Sequence, residues 1–120
     1  MATDSKLMAV VRTRFQFMHN WPNAPAGKHE HLRNRHRHEF HVELLVEQHH
    51  DDRDLEYLAL KDALDEQLAQ FVTSEFKEYF SCEMMAVEIA RWMTVTYGER
   101  SMTVEVNEDG ENGAVLIFQA

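Results

Sequence analysis

The segment "HRHEFHVELLVE", residues 36–47, governs the reading of the whole chain. Successive side chains of a strand point to opposite faces. His36, His38, Phe40, Val42, Leu44 and Val46 therefore share one side, and Arg35, Arg37, Glu39, His41 and Glu43 share the other. The apolar side belongs against a core, so a strand is expected from about Arg35 to Glu47. Two histidines heading that apolar face call for a physical reason, because a buried polar ring without a partner is costly.

Residues 7–19 alternate in the same way, with Val11, Thr13, Phe15, Phe17 and His19 on one face and Arg12, Arg14, Gln16 and Met18 on the other. This predicts a second strand whose inward end is His19. Between the two strands, "NWPNAPAGKHEH" holds Pro22, Pro25 and Gly27 and reads as a long loop without a regular element. Pairing the strands as a hairpin brings His19, His36 and His38 together. A lone inward histidine is ordinarily a core residue bonded to backbone, whereas three that converge point to a metal. Three protein ligands with an open fourth position is the pattern of a catalytic zinc site. Cys82 is the sole cysteine, so an intrachain disulfide is impossible and a metal site must rest mainly on histidine and carboxylate.

Downstream, "HHDDRD" is a polar turn whose aspartates suit a helix N-terminus. From Leu55, the residues Tyr57, Leu60, Leu64, Leu68 and Phe71 recur at helical spacing and predict an amphipathic helix ending near Val72. Ser81 is placed to cap a second helix with an inner stripe of Met85, Ile89, Trp92, Met93 and Thr96, closed by Gly98. Met84, Met85 and Met93 read as core filling. Met102, Val104 and Val106 then alternate with polar residues, "EDGENG" turns the chain, and "AVLIF" supplies a last strand. The pattern predicts one α+β domain over residues 1–120: a four-stranded antiparallel sheet with two helices between its strand pairs.

Composition narrows the function classes. Among 120 residues, 21 acidic against 12 basic side chains give a net charge of −9. That argues against nucleic-acid backbones and anionic membranes as partners. Arg33, Arg35 and Arg37 are a local exception, read as a solvated strand start. No apolar run approaches the roughly 20 residues of a membrane helix, and "MATDSK" has no signal-peptide core, so a cytoplasmic protein is expected.

"FQFMHNWP", "HRHEFHV" and "VEVNED", in that order, resemble the 6-pyruvoyl-tetrahydropterin synthase and 6-carboxy-tetrahydropterin synthase family, with its F-x-A-A-H-x-L-P, H-G-H-[NS]-[YF]-x-V and late V-x-V-x-E motifs. The resemblance spans nearly the whole chain. It implies the tunnelling fold, in which small subunits join through sheet edges into a barrel-like homo-oligomer and bind pterin or purine-like ligands between subunits. It implies zinc as cofactor on His19, His36 and His38. Glu108 would anchor the ligand, a role that suits a carboxylate able to accept two parallel N–H bonds from an amino-pyrimidinone edge. The start of the second helix, Cys82 and Glu83, matches a ligand-contact segment. Taken without the resemblance, Glu108 also reads as a turn carboxylate and Cys82 as a small buried residue.

Two features depart from the family pattern. Its catalytic cysteine falls at Leu32, and the glutamate of a variant group falls at Arg33. The Asp-His pair expected beyond the first helix is missing, since no histidine follows His50. Glu30 and His31, in the loop, are the candidate replacement bases. The leading expectation is a zinc-dependent lyase-type pterin synthase homologue with an atypical base. The alternatives are a catalytically inactive pterin- or purine-binding module and an oligomeric protein whose zinc ties two strands together.

Overall fold

The computed structural model describes residues 5–73 and 79–120. The two alternating segments form β1 (Met8–His19) and β2 (His36–Glu47), each twelve residues long. They pair antiparallel without a break, from Met8 opposite Glu47 to His19 opposite His36. The chain then forms α1 (Tyr57–Thr73) and α2 (Cys82–Tyr97) before returning as β3 (Met102–Glu108) and β4 (Asn112–Phe118). β3 lies antiparallel beside β2 and β4 beside β3, giving a four-stranded sheet in chain order. The α+β class and the antiparallel sheet with two helices are as the sequence predicts.

Both helices cover one face of that sheet. Leu60, Leu64, Leu68 and Phe71 of α1 and Met85, Ala86, Ile89 and Met93 of α2 are buried against Val11, Phe17, Phe40, Val42, Leu44, Val46, Val104 and Val106. Burial of a side chain of this size is worth about 1.5–3 kcal/mol, so alternation in the strands fixes which face takes the helices.

The helix ends differ in detail from the expectation. The aspartates of "HHDDRD" do not cap α1; the Glu56 carboxylate does, accepting the amides of Leu58 and Ala59. Asp54 is instead taken by Arg100, whose Nη1 donates to Oδ2 at 2.7 Å and to the Glu47 carbonyl at 3.0 Å. A buried guanidinium needs a charged partner and several acceptors more than a helix terminus needs one cap. Tyr57, Thr96 and Met84 are exposed rather than part of the inner stripes. Ser81 and Gly98 cap α2 as expected, the serine accepting the Met84 amide and Gly98, at φ 83°, donating to the Thr94 carbonyl.

The β1–β2 loop contains a short 3-10 turn at Glu30–Arg33, where no regular element was expected. It is tied across its neck by the Trp21 amide to the Leu32 carbonyl at 2.7 Å and by Arg33 Nε to the Ala24 carbonyl at 2.8 Å. At the other hairpin, pairing continues through Glu108 and resumes at Asn112, so the turn is tighter than "EDGENG" suggests. Asp109 (φ 59°) and Gly110 (φ 77°) supply its left-handed backbone. Among the described residues no helix is long and apolar enough to cross a membrane.

Candidate metal centre

The β1–β2 register delivers the three histidines to one end of the sheet. His19 closes β1 directly opposite His36, which opens β2, and His38 lies two residues further on the same face. Ring centroids are 4.5 Å apart for His19 and His36, 5.3 Å for His19 and His38, and 4.9 Å for His36 and His38. Beneath them Phe40 is fully buried, with its ring 5.2 Å from that of His19. One nitrogen from each imidazole lies within 4.8 Å of the other two, a grouping that could hold a metal ion.

Each ring is oriented from behind through Nδ1. His19 Nδ1 is 2.9 Å from the Phe80 carbonyl, His36 Nδ1 is 2.8 Å from the Asn34 carbonyl, and His38 Nδ1 is 2.7 Å from Asp109 Oδ2. A partner that can only accept places a proton on Nδ1, which in the neutral ring leaves a lone pair on Nε2. Outward bonds of this kind fix tautomer and orientation in metal-ligating histidines. Nε2 of His19 and of His38 are buried without a hydrogen-bond partner among the described residues. Burial, first of all, pushes the His19 pKa below its ordinary value, further opposed by His36 and His38 and offset in part by Phe80 and Glu108. The ring is thus a neutral donor at neutral pH. Two orphaned, buried nitrogens in a three-imidazole cluster fit a metal ion of the borderline, nitrogen-preferring type.

Glu108 ends β3 opposite Phe40 and reaches the same point. Its Oε1 is 3.5 Å from His19 Nε2 and its Oε2 3.3 Å from His38 Nε2. Asp109, one residue on, turns the other way. Its Oδ1 accepts the Glu39 amide at 2.9 Å, and its backbone amide donates to the Glu39 carbonyl. The His38 bond, followed by the Glu39 amide, lowers the Asp109 carboxyl pKa.

A cavity of about 520 Å³ opens beside the histidines, within the range of small-ligand sites. It is lined by His19 and His36 from the strand ends, Trp21 and Leu32 from the β1–β2 loop, Ser81, Cys82, Glu83 and Met84 from the start of α2, and Glu108, Asn112 and Gly113 from the β3–β4 hairpin. The structure thus gathers His19, His36, Glu108, Cys82 and Glu83 around one space, and His38 touches it only through Glu108, whose Oε2 is 3.3 Å from its Nε2. It does not bring Glu30 or His31 there: both are exposed, and the Glu30 carboxylate faces the Gly27 amide and Arg33. Leu32 does line the cavity, while Arg33 braces the loop.

Cys82 stands at the helix N-terminus, where a thiol is ordinarily acidified. Burial prevails, with the charges of Glu108 and Glu83 adding to it, and the thiol is pushed up to about 12. Cys82 is therefore a protonated wall residue at neutral pH. In the sequence Asp109 shows only as a second carboxylate beside Glu108 at a strand end. The Phe80 and Asn34 carbonyls carry no side-chain signal at all. No family model matches this chain, and no curated protein matches it.

Proposed function

We propose that this chain is a divergent zinc-dependent protein of the 6-pyruvoyl/6-carboxy-tetrahydropterin synthase type, acting on a pterin or purine-like ligand. The observation that carries the reading is the convergence of three Nδ1-anchored imidazoles, two of which line a cavity that also holds the Glu108 carboxylate. His19, His36 and His38 would hold the ion, and bound Zn²⁺ would supply Lewis-acid polarisation of a ligand carbonyl or hydroxyl. Glu108 offers two acceptor oxygens to an amino-pyrimidinone edge. Trp21 and Met84 give apolar surface for a flat bicycle, and Glu83 is a further cavity carboxylate able to take a proton.

A second reading, a binding module without turnover, gains from one observation: Glu30 and His31 stand outside the cavity, and Cys82 is held protonated. Fluorescence titration with a pterin panel tests both readings. Binding that Glu108→Gln weakens by about tenfold or more, the loss of roughly one charge-assisted hydrogen bond, supports the ligand class. Product analysis with dihydroneopterin triphosphate then separates an enzyme from a module. Failure to bind any pterin or purine favours a purely structural zinc.

We also infer a closed homo-oligomer with the tunnelling architecture. Among the described residues β1 and β4 leave both sheet edges without a neighbouring strand, and Val10, Val115 and Ile117 are exposed on the face opposite the helices. Light scattering that finds a stable monomer at micromolar concentration would overturn this.

A further inference from the structure

We propose that Glu108 is itself a ligand of the metal, completing the coordination of an ion on His19, His36 and His38 while the cavity is empty. This rests on those histidines binding a metal and goes beyond the three-histidine centre. Donor atoms about 2.0–2.1 Å from a tetrahedral ion lie roughly 3.3–3.4 Å from one another. The Glu108 oxygens stand 3.5 and 3.3 Å from the Nε2 atoms of His19 and His38. Each separation is close to that edge, through a different carboxylate oxygen for each ring, so the carboxylate straddles the His19 and His38 side of the centre.

The chemistry of the contact points the same way. With Phe80 and Asp109 taking the Nδ1 side of His19 and His38, the neutral form of each ring presents its Nε2 lone pair to the carboxylate. In the neutral rings there is no proton to share with that carboxylate, and neither Nε2 makes a hydrogen bond to it. Acceptors converging in this way repel unless a cation lies among them, and a carboxylate also halves the charge that a divalent ion brings into a half-buried site.

The carboxylate is delivered by the sheet rather than by a loose loop. Glu108 is paired on both sides, to Phe40 and to Asn112, and the next residue is locked to Glu39. Its side chain also lines the cavity, so an entering ligand that draws the carboxylate onto its own N–H groups frees a coordination position.

Cobalt(II) loaded into the full chain in place of zinc reads the ligand set without reference to activity. In the wild-type chain, added azide should leave the visible spectrum unchanged. In Glu108→Gln the spectrum should shift on adding azide, and chelator competition should show zinc affinity lower by at least about tenfold, the size seen for losing even an outer-shell partner. Unchanged zinc affinity and spectrum in Glu108→Gln would overturn the proposal, as would azide perturbing the wild type as readily as the variant. His36→Ala distinguishes the two levels. Full metal stoichiometry in that variant overturns the centre itself, whereas loss of metal there with no effect of Glu108→Gln overturns only the fourth ligand.

Discussion

His38 is held from behind by Asp109: Nδ1 to Oδ2 is 2.7 Å, and the other carboxylate oxygen accepts the Glu39 amide. A turn residue from β3–β4 thereby fixes a ring that belongs to β2. Asp109→Asn keeps a side chain tolerant of the left-handed backbone at this position but removes the charge. Metal affinity should fall by roughly 10–100-fold in chelator competition, while the metal-free melting curve stays close to that of the wild type.

Removing a ligand should be more severe than removing its support. His36→Ala takes away one of three imidazoles, and elemental analysis of the purified chain should find most of the metal gone.

Among the described residues, Asp54 is the most strongly depressed of three carboxyls that their partners hold below the ordinary range, the others being Glu47 and Asp109. Its bond to Arg100, then the His49 amide, depress its carboxyl from 3.8 to about 2. A carboxyl depressed in the folded state stabilises fully above its unfolded value, and that contribution disappears as pH falls from about 5 toward 2. Asp54→Asn should therefore melt below the wild type at pH 7, with the two melting temperatures converging near pH 2. A constant gap across that range would show that the pair does not act through ionisation.

Gly113 is a steric requirement. A Cβ there would overlap the Val106 carbonyl oxygen and Asn107 Cα, both backbone atoms of the paired strand. Gly113→Ala should force β4 away from β3, costing about 1–3 kcal/mol, as overpacking does. Because Gly113 also lines the cavity, a pterin bound there as proposed should be held more weakly in the same variant.

Leu32 lies on the cavity wall where Glu30 and His31 do not. Leu32→Cys places a thiol where the family resemblance puts one. If the proposed pterin synthase reading holds, conversion of dihydroneopterin triphosphate should rise by about tenfold or more, part of the 10²–10⁴ that positioned acid–base groups supply. Glu30→Gln and His31→Ala should leave conversion unchanged.

Strand alternation made the sheet and the histidine cluster legible, because a two-residue period admits a single inward set once Phe40, Val42 and Leu44 are taken as core. Helical spacing gave α1 and α2 for the same reason. The course of the β1–β2 loop was not legible. Its closure depends on backbone bonds such as Trp21 to Leu32, which leave no trace in residue type, and the placement of Glu30 and His31 follows from that closure. Asp54 escaped because an aspartate before a helix satisfies local capping rules, while its actual partner, Arg100, lies 46 positions away.

The Arg100–Asp54 pair and the histidine cluster sit at opposite ends of the β1–β2 ladder. Arg100 grips Glu47, which pairs with Met8, whereas His19 and His36 form the last rung at the other end. Eleven rungs at roughly 3.3 Å each separate them by about 35 Å, well beyond the distance at which substitutions ordinarily stop influencing one another. The molecule is consequently divisible for an engineer: one end can be hardened against heat or acid while the chemistry at the other is rewritten, and gains made in separate campaigns should combine by simple addition.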